Sequence, residues 1–123
     1  MRSLKLLVID DSRAMRSIIR RVLRQAGYGQ HEVLEAADGR SALDMIKAER
    51  PHLIIADWNM PVMNGMDLLK VIRRAGLEIP FGFLTAQGTT EMRELATENG
   101  ADFFVSKPFN AKDIKLALSR YLG

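Results

Sequence analysis

The 123-residue chain has no cysteine and no long apolar run. The absence of cysteine excludes disulfides and thiolate metal sites. The apolar run near the N-terminus is too short for a signal peptide and ends in an acidic pair. No stretch approaches the roughly 18 apolar residues that span a membrane. These absences favour a soluble, cytoplasmic protein without a membrane partner.

An excess of charge of one sign is also missing, because 18 Lys and Arg residues nearly balance 15 Asp and Glu residues and leave a net charge of +3. That charge does not by itself indicate a nucleic-acid partner, and no other feature of the chain supports one. The composition, with 47% hydrophobic and 27% charged residues, is typical of a globular domain. We therefore predict one domain over residues 1–123, with no output domain.

Short apolar runs alternate with helical patterns along the chain. Strands are predicted at residues 4–9, 32–36, 53–57, 81–84 and 103–105, and a helical pattern follows each of them. Alternating strands and helices predict an α/β fold with a parallel sheet covered on both faces. Two elements are weak: Gly82 interrupts the fourth strand, and the helix over residues 90–99 has few apolar anchors. Periodicity leaves the strand order open.

Polar side chains stand where the predicted strands end. Asp10 and Asp11 end the first strand, Asp57 the third and Thr85 the fourth, and Lys107 follows the fifth. The carboxyl ends of parallel strands share one edge, where ligands bind. Three carboxylates there repel one another and favour a cation, and oxygen ligands suit Mg²⁺ or Mn²⁺. Carboxylate, metal, lysine and hydroxyl can together accept a phosphoryl group as an aspartyl-phosphate.

Each of these residues also has a purely structural interpretation. The acidic pair, or Ser12 after it, would serve as a helix N-cap. Lys107 and Pro108 would simply end a strand, and Thr85 would cap a turn. Their joint placement at four strand ends favours the functional interpretation.

Five motifs resemble those of bacterial response-regulator receivers, over the whole chain. They are Val8-Ile9-Asp10-Asp11-Ser12, Ala56-Asp57-Trp58-Asn59-Met60-Pro61, Met63-Asn64-Gly65, Leu84-Thr85-Ala86 and Ser106-Lys107-Pro108-Phe109. Within the family, the second motif is most similar to stand-alone chemotaxis-type receivers. The resemblance implies a flavodoxin-like (βα)5 fold with strand order 2-1-3-4-5.

The resemblance also implies a role for each site residue. Asp57 would accept a phosphoryl group from the phosphohistidine of a sensor kinase or phosphotransfer protein. Mg²⁺ would be held directly by Asp11, Asp57 and the main-chain carbonyl of Asn59, and through water by Asp10. Lys107, joined to Pro108 by a cis bond, would pair with the phosphoryl group.

Phosphorylation would then switch a surface, again by resemblance. Thr85 would move towards the phosphoryl group and Phe104 would rotate inward. The surface of the fourth helix, fifth strand and fifth helix would change, and a phosphorylation-dependent partner protein would bind it. Phe104 replaces the tyrosine of chemotaxis receivers, and Gln87 replaces an acidic residue. Gln87 and Asn59 would flank the attacking water and tune dephosphorylation.

Several functions fit parts of this pattern. A phosphorelay intermediate or phosphate sink would use the same site but would not control a flagellar motor, as chemotaxis receivers do. A haloacid-dehalogenase-like phosphatase needs a second Asp two residues after its nucleophile, whereas Asp10 and Asp11 are adjacent and residue 59 is Asn. A flavodoxin-like cofactor binder needs a phosphate loop that the acidic pair would repel. We therefore predict a switch that catalyses only its own phosphorylation and dephosphorylation, as a monomer or weak dimer.

Two further groups of residues have no fixed interpretation. Four arginines recur along one face of the first helix, and they form either a solvated basic face or a docking surface for an acidic kinase; they are Arg13, Arg16, Arg20 and Arg24. The two histidines, His31 and His52, lack metal-ligand spacing, and we expect ordinary surface or turn residues there.

Overall fold

The computed structural model describes residues 3–86 and 88–123, and its strands and helices alternate along the chain. The strands are Lys5–Ile9 (β1), Glu32–Ala36 (β2), Leu53–Ala56 (β3), Phe81–Thr85 (β4) and Phe103–Ser106 (β5). The helices are Arg13–Gln25 (α1), Gly39–Glu49 (α2), Gly65–Arg74 (α3), Thr90–Glu98 (α4) and Ala111–Leu122 (α5). The five predicted strands are confirmed, with bounds that differ by one residue at most.

The five strands form one parallel sheet in the order β2-β1-β3-β4-β5, which confirms the predicted fold and strand order. The chain leaves β1 towards β2 on one side and later returns to place β3 on the other side. As a result α1 and α5 cover one face, and α2, α3 and α4 cover the other. The two directions of winding diverge between β1 and β3, where such sheets form a ligand crevice at the carboxyl edge.

The hydrophobic core lies in two layers, one on each face of the sheet. Because both faces are covered, the central strands are almost entirely apolar and almost fully buried. On one face the strands pack against Ile19, Val22, Leu23, Ile114 and Leu118. On the other they pack against Ala42, Ile46, Leu68, Leu69, Ile72 and Ala96. The rigid layers fix where each strand ends, and hence where the polar residues beyond it lie.

Helix α4 is the least anchored of the five helices. Ala96 is its one buried residue, and Leu95 is 42% exposed. The weak apolar pattern predicted from the sequence is therefore present in the structure. Within the described residues, no helix is long and apolar enough to cross a membrane.

The interior glycine of β4 has a packing reason. Gly82 pairs with Phe103 of the neighbouring strand, and a Cβ atom on Gly82 would lie 2.0 Å from the Phe103 ring. The ring therefore occupies the space that a side chain would fill, and it packs on towards Tyr121 of α5. What looks like a weak strand in the sequence is a close contact between two strands.

The two histidines hold the amino end of β1. The Nδ1 atom of His31 accepts a hydrogen bond from the Leu4 amide at 3.0 Å, and that of His52 accepts one from the Lys5 amide at 3.0 Å. His52 is exposed, but His31 is only 7% exposed. The expectation of surface or turn residues holds, since His52 is at the surface and His31 lies in the turn before β2. The burial of His31 was not predicted, because apolar periodicity does not reveal a buried side chain that accepts from a strand end.

Candidate functional site

The site begins where β1 and β3 end side by side. Ile9 and Ala56 are partners in the sheet, so the residues that follow them leave the sheet together. The Asp57 amide donates to the Ile9 carbonyl at 2.9 Å, and the Asp10 amide donates to the Ala36 carbonyl at 3.1 Å. One oxygen from each of Asp10, Asp11 and Asp57 lies within 4.8 Å of the others. We call these three residues the acidic triad.

The members of the acidic triad differ in burial. The side chain of Asp10 is 3% exposed and that of Asp57 is 14% exposed, whereas Asp11 is exposed. The α1 N-cap is Ser12, whose side chain accepts from the Met15 amide at 3.1 Å. Of the two caps that the structural interpretation allowed, Ser12 is the one present, so neither Asp10 nor Asp11 caps the helix.

Two of the triad carboxylates share one lysine. Lys107 Nζ lies 3.3 Å from Asp10 Oδ2 and 3.8 Å from Asp57 Oδ2. Its amide donates to the Thr85 carbonyl at 2.8 Å, which holds the end of β5 against the end of β4. The bond between Lys107 and Pro108 is cis, as the resemblance implies. In the part of the chain that the structure describes, Lys107 is the only cationic side chain within 4.0 Å of a carboxylate oxygen of the triad.

Electrostatics at the site favours an added cation. Burial raises the pKa of Asp57 above its ordinary value, Lys107 opposes this, and Asp10 and Asp11 add to the rise. The Trp58 amide, which donates to Asp57 Oδ1 at 2.8 Å, favours the carboxylate. Because burial is the largest cause, the rise means that the folded protein solvates the Asp57 carboxylate less well than water does, while three carboxylates face one lysine at the site. Oxygen ligands with an unbalanced negative charge fit Mg²⁺ or Mn²⁺.

The loop after β3 closes against Asp57. Asn59 is exposed on this loop, two residues after Asp57. The Gly65 amide donates to the Trp58 carbonyl at 2.9 Å, and a Cβ atom on Gly65 would lie 2.3 Å from the Asp57 carbonyl oxygen. Gly65 was noted in the sequence only as part of a motif, and the close approach explains why a side chain does not fit.

The predicted switch residues lie on adjacent strands beyond the triad. Thr85 is 1% exposed at the end of β4. Phe104 of β5 is half-buried, with its ring centroid 6.2 Å from that of Phe83 and 6.4 Å from that of Trp58. The guanidinium of Arg93 on α4 lies 4.7 Å from the Phe104 ring centroid. The remaining predicted residue, Gln87, lies outside the described residues.

The arginine row of α1 is divided by its contacts. Arg16 and Arg20 both pair with Glu35 of β2, whereas Arg13 and Arg24 are exposed. Arg16 also donates to the Asp10 carbonyl at 2.7 Å. Sequence reasoning did not single out Glu35 or this contact, because the pairing of β2 with β1 that brings them together is not visible in the periodicity. The row is therefore not a uniform solvated face.

With this geometry in place, comparison with known proteins is decisive. Residues 6–119 match the family model of the response regulator receiver domain. The chain belongs to this family. The receiver is similar over its whole fold to solved members, among them chemotaxis protein CheY4 of Vibrio cholerae. That structure matches with a TM-score of 0.86 and 35% identity over 98% of this chain and all of the other.

Curated relatives of the receiver include both short and long proteins. Chemotaxis protein CheY1 of Helicobacter pylori is 39% identical over 123 residues, which cover 98% of each chain. Response regulator MprA of Mycolicibacterium vanbaalenii is 36% identical over 110 residues, which cover 89% of this chain and 46% of that protein. The receiver thus spans less than half the length of one relative and nearly all of the other. It is a receiver of two-component signalling, of the CheY type.

Proposed function

We propose that this chain is the receiver of a response regulator and that it accepts a phosphoryl group on Asp57. The observation that carries the proposal is the Asp57 carboxylate, which lies within 4.8 Å of two further carboxylates and 3.8 Å from Lys107 at the β1/β3 crevice. Similarity over the whole chain to the chemotaxis proteins CheY1 and CheY4 supports a role in signalling.

The residues of the site suit the transfer chemistry. An Asp57 oxygen would attack phosphorus on a phosphohistidine, forming an oxygen–phosphorus bond as the phosphorus–nitrogen bond breaks and the histidine nitrogen keeps the electron pair. Lys107 is in reach to neutralise a phosphoryl oxygen that arrives at Asp57. Asp10, Asp11, Asp57 and the Asn59 carbonyl would hold Mg²⁺, which supplies charge neutralisation when bound. Positioning and neutralisation account for most of the catalysis in such transfers.

The output would come from the surface of α4, β5 and α5. Helix α4 has a single buried residue, so displacing it costs little apolar burial. Thr85 and Phe104 stand on neighbouring strands between the triad and this surface. Movement of Thr85 towards a phosphoryl group and of Phe104 into the space behind it would carry the signal to a partner protein.

The pathway proposed is chemotaxis-like signalling in the cytoplasm, in which a histidine kinase or phosphotransfer protein is the donor. The chemotaxis relatives support it. The exposed α1 residues Arg13 and Arg24 are available to an acidic donor protein. Phosphorylation and dephosphorylation of Asp57 would be the only reactions catalysed. Service as a phosphorelay intermediate or phosphate sink would use the same site, and Phe104 in place of tyrosine favours this alternative.

The test is intact mass after incubation with Mg²⁺ and acetyl phosphate. We expect one added phosphoryl group in the wild type, none in Asp57→Asn and none with EDTA. The modified protein should lose the group in hydroxylamine, because acyl phosphates are cleaved by it and serine or threonine phosphates are not. Modification of Asp57→Asn to the wild-type extent would contradict the proposal.

A further inference from the structure

A side chain of α1 holds the main-chain carbonyl between the two acidic residues that follow β1. Arg16 Nη1 donates to the Asp10 carbonyl at 2.7 Å, a short charge-assisted hydrogen bond. The Arg16 side chain is 15% exposed, so water competes little for this contact. Arg16 itself is fixed in the first turns of α1, where its amide donates to the Ser12 carbonyl at 3.0 Å.

Glu35 fixes the other end of the guanidinium. Arg16 Nε donates to Glu35 Oε1 at 2.8 Å, and Arg20 Nη1 donates to Glu35 Oε2 at 3.3 Å. Both carboxylate oxygens are therefore engaged, and Glu35 is anchored in β2 opposite Val8 of β1. The Arg16 guanidinium thus bridges Glu35 of β2 and the Asp10 carbonyl in the turn after β1. A lysine ammonium group cannot make both contacts in the same geometry.

The held carbonyl belongs to the peptide unit that joins Asp10 to Asp11. Because a peptide unit is planar, fixing its carbonyl also fixes the amide of Asp11 and the direction in which the Asp11 side chain departs. Asp10 has its own restraints, since its carboxylate contacts Lys107 and accepts from the Ser12 amide at 2.9 Å. Among the described residues, no hydrogen bond to the Asp11 carboxylate is found, so its backbone is what orients it.

We propose that Arg16 is a positioning residue for metal binding, which orients Asp11 through the Asp10 carbonyl. The inference rests on the proposed function, because it assumes Mg²⁺ at the acidic triad. Arg16 touches neither metal nor phosphoryl group in this role. Loss of an outer contact that orients a ligand lowers metal affinity by about 10- to 100-fold in other metal sites.

Electrostatics alone predicts the opposite effect of removing Arg16 on the affinity for Mg²⁺. Removing a cation near an acidic site should strengthen Mg²⁺ binding, because one repulsion is lost. If Arg16 acts through the carbonyl, its removal should weaken Mg²⁺ binding. Arg20 supplies the matched control, because it pairs with the same Glu35 carboxylate and donates to the Val33 carbonyl, but makes no contact with Asp10.

The experiment is a Mg²⁺ titration of the full chain, with the fluorescence of Trp58, the single tryptophan, as the readout. Urea unfolding of each variant in EDTA is measured in parallel. We expect the Kd for Mg²⁺ to rise about tenfold in Arg16→Ala, less in Arg16→Lys, and to stay within twofold of the wild type in Arg20→Ala. Arg16→Lys keeps the charge and serves if Arg16→Ala does not fold.

Three results would overturn the inference. An unchanged or lower Kd in both Arg16 variants would mean that the contact does not position Asp11. An equal rise in Arg20→Ala would assign the effect to the Glu35 network as a whole. A wild type that binds no Mg²⁺ by fluorescence or calorimetry would overturn the proposed function itself, a result distinct from the other two.

Discussion

Replacing Asp57 by Asn should stabilise the metal-free protein. Asp57 is mostly buried, and its carboxylate lies close to two others with one lysine between them. Burial and the neighbouring carboxylates raise its pKa despite Lys107, which means that the folded protein holds this charge at a cost. Asn has nearly the same shape and keeps an oxygen that can accept from the Trp58 amide.

The magnitude follows from the distances. At an effective dielectric constant of about 20, like charges at the 4.8 Å limit repel by about 3.5 kcal/mol, and opposite charges at 3.8 Å attract by about 4.4 kcal/mol. Loss of the Asp57 charge removes two such repulsions and one attraction, a gain of about 2–3 kcal/mol. Solvent screens the repulsion between Asp57 and the exposed Asp11. We therefore expect the free energy of unfolding to rise by about 1–3 kcal/mol in Asp57→Asn.

The gain should depend on pH and on metal. A raised folded-state pKa means that native Asp57 takes up a proton before the unfolded chain does as the pH falls. The advantage of Asn should therefore be greatest near neutral pH and fade as the pH falls towards the ordinary value of 3.8. Mg²⁺ at a hundredfold excess over its Kd would stabilise the wild type by about 2.7 kcal/mol and the variant by less. Mg²⁺ should therefore remove or reverse the stability advantage of Asp57→Asn over the wild type.

The assay is urea unfolding by circular dichroism at pH 7, in EDTA and in Mg²⁺. The control is Asp44→Asn, which removes an exposed carboxylate of α2 and should change stability by no more than about 0.5 kcal/mol. An Asp57→Asn variant no more stable than the wild type in EDTA would refute the reasoning that the triad is under electrostatic strain.

Three further outcomes are expected. Gly65→Ala should cost about 1–3 kcal/mol in urea unfolding and weaken Mg²⁺ binding, because its Cβ would press on the Asp57 carbonyl. Arg73→Ala should cost about 2–3 kcal/mol, because its guanidinium donates to three carbonyls in the turns before β4 and β5. Burial, and then His52, lower the pKa of His31, so stability should fall as the pH drops below about 6.5, and less steeply in His31→Gln.

Matched variants make these outcomes decisive. Gly29→Ala places a Cβ at an ordinary 3.4 Å from the Arg24 side chain and should be nearly neutral. Arg74→Ala removes an exposed arginine beside Arg73 and should change stability little. Equal effects in each pair would contradict the packing argument for Gly65 and the hydrogen-bond argument for Arg73. A pH slope unchanged in His31→Gln would contradict the account of His31.

The sequence was a sufficient guide to the elements and to the position of the site. Buried parallel strands are almost entirely apolar, and the polar residues that follow them stand out, as Asp10 and Asp57 do. Caps such as Asp38 and Asn110 are local signals and could be read directly. Because parallel strands share one carboxyl edge, strand ends alone predicted that the triad and Lys107 meet.

What could not be predicted depends on strand neighbours and packing. The order of the strands came from family resemblance, since periodicity does not reveal which strands pair. Gly82 looked like a weakness because its partner Phe103 is 21 residues away in sequence. The same applies to the contact between Arg16 and Glu35, and to the buried position of His31, each of which joins distant segments.

The most direct test of the central claim is to locate the phosphoryl group. Trypsin places Asp10 and Asp11 in the peptide 6–13 and Asp57 in the peptide 48–70, so tandem mass spectrometry after brief acetyl phosphate treatment in Mg²⁺ can separate them. We predict modification of Asp57 alone, with the peptide 6–13 unmodified. A phosphoryl group on Asp10, Asp11 or a hydroxyl side chain, with Asp57 unmodified, would contradict the account.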